Sequence, residues 1–342
     1  MMPQTGLWVG FAILVGMMLA LDLGVFHRKA HAVRLREATI WSAIWIAVAL
    51  LFNAGVLKFR GHVPALEFLT AYLIEKSLSV DNIFVFVVIF TYFAVPAEYQ
   101  HRVLFWGILG ALLTRGFFIA FGLALLKVFH WIIYVFGAIL LLTAWKLLSG
   151  RETSVDPERN PVLRLLRRWL PITPSFEGQR FLVRRDRRLW TTPLLVVLAV
   201  VESTDVAFAV DSIPAVIAIS RDPFIVYTSN VFAILGLRAL YFVLAGIVGL
   251  FYYLRYGLGL VLAFVGVKMM MSEVYRVPIG VSLGVIGGIL TVSVVASVIR
   301  ARVLGCRRRV SAEAPASNEA CPSCPVSFPV AGPSRPGRRW CS

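Results

Sequence analysis

The sequence predicts an all-α polytopic membrane protein of about nine transmembrane helices, with two three-helix units forming an inverted repeat. Three observations predict it. The 342 residues are 59% hydrophobic and only 15% charged, with a mean hydropathy of +0.80. A soluble domain carries about 25% charged residues. Apolar runs long enough to cross a bilayer recur along the whole chain. Two of those runs carry acidic residues where lipid penalises them.

The spans are read at roughly 6–26, 41–57, 66–93, 103–126, 129–148, 191–219, 224–252, 256–272 and 278–299. The seventh is long enough to be tilted or broken. The first positive charge, Arg28, follows the first apolar stretch. That order reads as an uncleaved span rather than a signal peptide. The organisation expected is two N-terminal helices over 1–60, a first repeat over 66–150, an Arg-rich cytoplasmic loop over 151–190, a second repeat over 191–273, a last helix over 278–299 and a disordered cytoplasmic tail over 300–342.

Orientation follows from Lys and Arg. Arg28, Lys29, Arg34 and Arg36 follow span one, the 150–190 loop holds Arg151, Arg159, Arg164, Arg167, Arg168, Arg180, Arg184, Arg185, Arg187 and Arg188, and the tail holds Arg300, Arg302, Arg307, Arg308 and Arg309. Nine spans put all three regions on one side, so the N-terminus lies outside and the C-terminus in the cytoplasm. The formal charge of +16 therefore reads as a match to anionic lipid. No zinc-finger spacing or basic-aromatic patch supports nucleic acid. The proline-punctuated loop reads as a solvated linker, with an amphipathic piece near 162–170 fit for the membrane surface. The four cysteines, Cys306, Cys321, Cys324 and Cys341, all follow the last span, and Cys321-Pro-Ser-Cys324 stands alone.

Spans three to five and six to eight read as copies. Val80-Asp81-Asn82-Ile83 matches Val210-Asp211-Ser212-Ile213. Six residues upstream stands a carboxylate in each, Glu75 and Asp205. The second helix of each unit carries one mid-span arginine, Arg115 and Arg238, and the third ends with a lysine, Lys146 and Lys268. Three spans per unit make the second copy enter from the opposite side. Transporters place substrate near the midplane between such inverted repeats.

Glu75, Asp81, Asn82, Glu202, Asp205, Asp211 and Ser212 are the candidate metal ligands. All offer oxygen, and oxygen-only sites suit Mg²⁺, Ca²⁺ or Mn²⁺. Glu75 and Asn82 share a helix stripe, as do Asp205 and Ser212, whereas Asp81 and Asp211 lie roughly 100° away. Convergence on one point would need local unwinding at 79–82 and 209–214. Pro214 supplies a mechanism in the second repeat by freeing the Val210 carbonyl. Five carboxylates exceed the charge of one divalent ion, so some must be protonated or paired with Lys76, Arg115 or Arg238. Each of these three also reads as a structural charge partner. Lys146 and Lys268 read as snorkelling to the interface. No Gly-x-Gly-Asp, His-Glu-x-x-His or serine-nucleophile motif is present, so no enzyme and no resident cofactor is predicted.

The segments Glu75-Lys76-Ser77-Leu78-Ser79-Val80-Asp81-Asn82 and Asp205-Val206-Ala207-Phe208-Ala209-Val210-Asp211-Ser212-Ile213-Pro214-Ala215 resemble the two signatures of the TerC/Alx family of integral membrane proteins. Asp22-Leu23, the stretch His27-Arg28-Lys29-Ala30-His31, then Arg36-Glu37-Ala38 and Trp41 resemble its Alx-type subgroup. The resemblance covers about residues 6–299 and omits the cysteine-bearing tail. The family is named for tellurium resistance, and Alx-type bacterial members are linked to manganese export. The resemblance implies a bacterial inner-membrane exporter of Mn²⁺ with Ca²⁺ as the alternative ion, possible exchange for protons, and Glu75, Asp81, Glu202, Asp205 and Asp211 as the functional carboxylates. It equally permits a non-transporting membrane assembly in a stress response.

Overall fold

The computed structural model describes residues 4–26, 35–149, 161–169, 171–185, 188–245, 253–272, 274–275 and 277–312. The chain is mostly helical. Its elements are α1 (Gln4–Phe26), α2 (Leu35–Arg60), α3 (His62–Tyr92), α4 (Ala97–Val128), α5 (Ile132–Leu148), α6 (Pro161–Trp169), β1 (Leu182–Arg185), β2 (Arg188–Thr191), α7 (Pro193–Ile217), α8 (Pro223–Leu235), α9 (Leu237–Ala245), α10 (Leu254–Met270) and α11 (Ile279–Ala312).

Punctuation residues set several boundaries. Gly61, at φ 94°, turns α2 into α3 in a backbone region that residues with a Cβ avoid. Proline opens α7 and α8, where its missing N–H costs no helical bond. Asp222 caps α8 by accepting from the Phe224 N–H at 2.9 Å, and Arg60 Nη2 holds its other oxygen at 2.7 Å.

Among the described residues, four helices are long and apolar enough to cross a membrane: Arg36–Arg60, Ala97–Val128, Pro193–Ile217 and Ile279–Ala301. The bent pair α8 and α9 makes a fifth when taken as one span. The long seventh run is thus broken, at Gly236, with a bend of 41°. At 1.5 Å per residue, the 17 residues of α5 and of α10 reach only about 25 Å, short of the ~30 Å hydrocarbon core. α3 has 31 residues but carries Glu67, Glu75, Lys76 and Asp81, too many charges for an apolar span.

Two expectations need correction. α3 and α7 do not unwind at 79–82 or 209–214; both run unbroken through those segments. Pro214 lies in the last turn of α7, where it removes a single bond, and the Ala218 N–H bonds back to the Pro214 carbonyl at 2.9 Å. The loop is also more than a linker. The amphipathic piece is α6, which buries Leu163 against the start of α7. A hairpin of β1 and β2 follows, pairing Leu182 with Thr191 and Arg185 with Arg188. Thr191 ties it to the chain before it, donating to the Pro171 carbonyl and accepting from Thr173, both at 2.9 Å. Residues 151–160 of the loop and 313–342 of the expected tail lie outside the described residues, and α11 carries helix past 299 to Ala312.

Packing centres on the two acidic helices. α3 lies against α7 and α8, α4 against α7 and α8, and α5 against α10. Phe11 of α1, Phe52 of α2, Phe68 of α3, and Phe224 and Phe232 of α8 form one aromatic cluster, which fixes the N-terminal helices to α8. α5 and α10 meet through small residues. The Gly266 position has the Gly137 carbonyl at 3.2 Å and Leu141 Cγ at 3.1 Å from where a Cβ would stand. In lipid, close backbone approach at such residues replaces the hydrophobic drive between helices.

Candidate functional site

Arg115, mid-way along α4, is buried between the two acidic helices. Its Nη1 pairs with Glu75 Oε1 of α3. Nη2 and Nε donate to the two Asp205 carboxylate oxygens of α7 at 3.0 and 3.4 Å. Nη1 also donates to Ser212 Oγ at 3.3 Å, two turns further along α7. One guanidinium therefore ties α4 to α3 and α7 through the matched carboxylates of the two acidic segments. Such a buried cluster depends on its arginine, because without Arg115 the two carboxylates would be left without a counter-charge in low dielectric.

Asp81 and Asp211, the other matched pair, face a separate cavity of about 140 Å³. Asn82 and Ser212 line it beside them, with Thr143, Lys146 and Leu147 of α5, Phe208 of α7, and Arg255 and Leu262 of α10. Thr143 Oγ1 donates to Asp211 Oδ1 at 2.8 Å. Ser212 thus belongs both to the cavity wall and to the shell of Arg115. Two carboxylates, an amide and two hydroxyls give an oxygen-only donor set, and the carboxylates alone carry the charge to match one divalent ion.

The remaining candidates lie elsewhere. Glu202 packs its carboxylate against Gly107 and Gly110 of α4, in the space a Cβ at Gly110 would fill. Lys76 turns away from the carboxylates and donates to the Ala233 carbonyl at 3.3 Å, in the last turn of α8. There its charge meets the negative end of the helix dipole. Bare Gly236 leaves room for that ammonium; a Cβ there would come within 2.7 Å of Nζ. Arg238 is buried at the start of α9, just past the break.

The expectation that five carboxylates converge on one ion is therefore not met. Among the described residues no three acidic, histidine or cysteine side chains are grouped to hold a metal ion. Glu75 and Asp205 are committed to Arg115, Asp81 and Asp211 to the cavity, and Glu202 to the α4 glycines. The stripes that lie roughly 100° apart on a straight helix serve different neighbours instead of one centre. Lys146, at the exposed end of α5, lines the mouth of the cavity. Thr143, Lys146 and Arg255 were not among the candidate ligands. Thr143 and Lys146, three apart on an otherwise apolar helix, share a face, and that spacing was the available signal.

The sequence from residue 60 to 304 matches the family model described as Integral membrane protein TerC family. The chain belongs to the TerC family. The matched stretch runs from the end of α2 into α11 and contains every residue of the Arg115 cluster and the cavity. A TerC relative from Myxococcus xanthus, an uncharacterized membrane protein, is 56% identical over 87% of this chain and 93% of its own length. One from Escherichia coli K12, provisionally named membrane-bound redox modulator Alx, is 48% identical over 84% of this chain and 92% of its own. A membrane protein of Rickettsia bellii is 39% identical over 87% and 98%. No solved structure matches the chain. The protein is thus a multi-pass integral membrane protein of the TerC family.

Proposed function

We propose that this TerC protein is a secondary transporter that exports a divalent cation, Mn²⁺ in preference to Ca²⁺, through the cavity between Asp81 and Asp211. The observation that carries this reading is that the matched aspartates of the two acidic segments line one cavity with Asn82, Thr143 and Ser212. A hard divalent ion takes carboxylate and neutral oxygens together. Glu75 and Asp205 serve the site indirectly, held by Arg115 beside Ser212. Glu202, outside both groups, is the carboxylate assigned to carry a proton in exchange.

The transport reading uses nine spans with the N-terminus outside, the C-terminus in the cytoplasm and the chain in a bacterial inner membrane. It also uses an inverted repeat of α3–α5 with α7–α10. Packing supports the repeat. The shift that carries Lys146 onto Lys268 carries Gly137 onto Gly259 and Leu148 onto Met270. Gly137 faces Met270 and Gly259 faces Leu148, so the two contacts exchange under it. α3 lies on α8 as α4 lies on α7.

The test is flux in proteoliposomes loaded with Mn²⁺, Ca²⁺ or Mg²⁺, with and without a pH gradient. The reading expects Mn²⁺ movement accelerated by an opposing proton gradient. A second reading, a non-transporting stress component, draws on the redox-modulator name of the enterobacterial relatives. All four cysteines lie beyond residue 304, outside the matched stretch. Thiol chemistry would therefore fall to the tail. This alternative expects no flux of any of the three cations, and loss of function on deleting the loop at 151–190.

A further inference from the structure

The cavity that holds Asp81 and Asp211 also holds two cations of the chain itself. Lys146 stands two residues before the end of α5, and Arg255 is the second residue of α10. Both line the cavity, and the Lys146 charge acts on Asp211 as the Arg255 charge acts on Asp81. Two carboxylates thus face two basic side chains, and the cavity is close to neutral without any bound ion. A divalent cation placed among these partly buried groups meets both attraction to the carboxylates and repulsion from the basic side chains.

We infer that Lys146 and Arg255 are tethered competitors that set the affinity of the cavity for its divalent cation. This inference rests on the transport reading above. One divalent ion replaces the charge of two monovalent side chains, so the ion gains the carboxylates only by displacing both. A monovalent ion can offset one of these charges only, which disfavours it. In the orientation argued above, the end of α5 and the start of α10 face the cytoplasm. The basic pair therefore stands on the side from which an exporter loads. The consequence is a threshold. At low cytoplasmic cation the side chains keep the aspartates, and export begins only when the free ion is concentrated enough to compete. An essential metal is then spared until it is in excess.

Removing a basic cavity residue should therefore strengthen cation binding. The experiment titrates the purified full-length protein in detergent with Mn²⁺, in phosphate-free buffer, reading free Mn²⁺ by electron paramagnetic resonance. Lys146→Gln and Arg255→Gln are each expected to bind Mn²⁺ roughly tenfold tighter, the effect of removing one nearby unit charge. Lys146→Arg, which keeps the charge, stays within about twofold, as does Lys127→Gln on exposed α4 surface. Thermal unfolding confirms that each variant is folded, and either glutamine variant alone suffices if the other is not.

Unchanged or weaker binding in the folded glutamine variants, with Asp211→Asn weakening it, overturns the inference and leaves the transport site standing. Binding that needs added inorganic phosphate and is lost in Lys146→Gln also overturns it, because the basic pair would then hold an anion. If Asp81→Asn and Asp211→Asn both bind Mn²⁺ as the unaltered protein does, the cavity is not the cation site and the transport reading itself fails.

Discussion

Arg115 grips Asp205 with two nitrogens, Nη2 at 3.0 Å and Nε at 3.4 Å, while its Nη1 pairs with Glu75. The pair joins α4 to α7, and the third partner brings in α3. All three side chains are buried. Removing the arginine strands two carboxylates, so Arg115→Ala should lower stability by about 3–5 kcal/mol. Replacing the whole cluster, as Arg115→Met with Glu75→Gln and Asp205→Asn, should recover most of that loss. Thermal unfolding in detergent checks both. An Arg115→Ala variant as stable as the parent would show that the cluster does not hold these helices.

Glu202 depends on the absence of a side chain across from it. A Cβ at Gly110 would occupy the position of the Glu202 carboxylate. Gly110→Ala should cost about 1–3 kcal/mol through overpacking. Adding Glu202→Ala should remove most of that cost, which a double-mutant cycle on unfolding free energies measures directly.

The α5–α10 contact should respond to bulk in the same way. Gly266→Leu forces a side chain toward the Gly137 carbonyl and Leu141 and should destabilise by about 1–3 kcal/mol or more. Gly284→Leu on α11, where nothing stands within 4 Å, should be nearly neutral. Gly266→Leu should also impair flux, because α5 carries Thr143 and Lys146 to the cavity.

The acidic helices were legible because an ionised side chain in an apolar run is rare enough to read singly. Glu75, Asp205 and Arg115 were found as matched positions, and the structure joins them. How they would meet was not legible. A straight helix turns Asp81 roughly 100° from the Glu75 stripe, so convergence on one point would require both helices to unwind. The structure keeps them straight and supplies different neighbours, α4 for one face and α5 with α10 for the other. Those neighbours are chosen by packing at Gly110, Gly137 and Gly266, long-range contacts that periodicity in one helix does not encode. Lys76 was obscure for the same reason. Its partner, the Ala233 carbonyl, exists because the helix through 223–245 breaks at Gly236.

The central claim is that Asp81 and Asp211 face one cation between them. The most direct measurement is Mn²⁺ flux into proteoliposomes carrying Asp81→Asn, Asp211→Asn or Glu67→Gln. Glu67 accepts from Ser220 Oγ at 2.6 Å and is absent from the cavity lining. Each aspartate variant should lower flux by about 100-fold or more, equivalent to ~2.7 kcal/mol, with Glu67→Gln within a few-fold of the parent. Full flux through both aspartate variants would contradict the account.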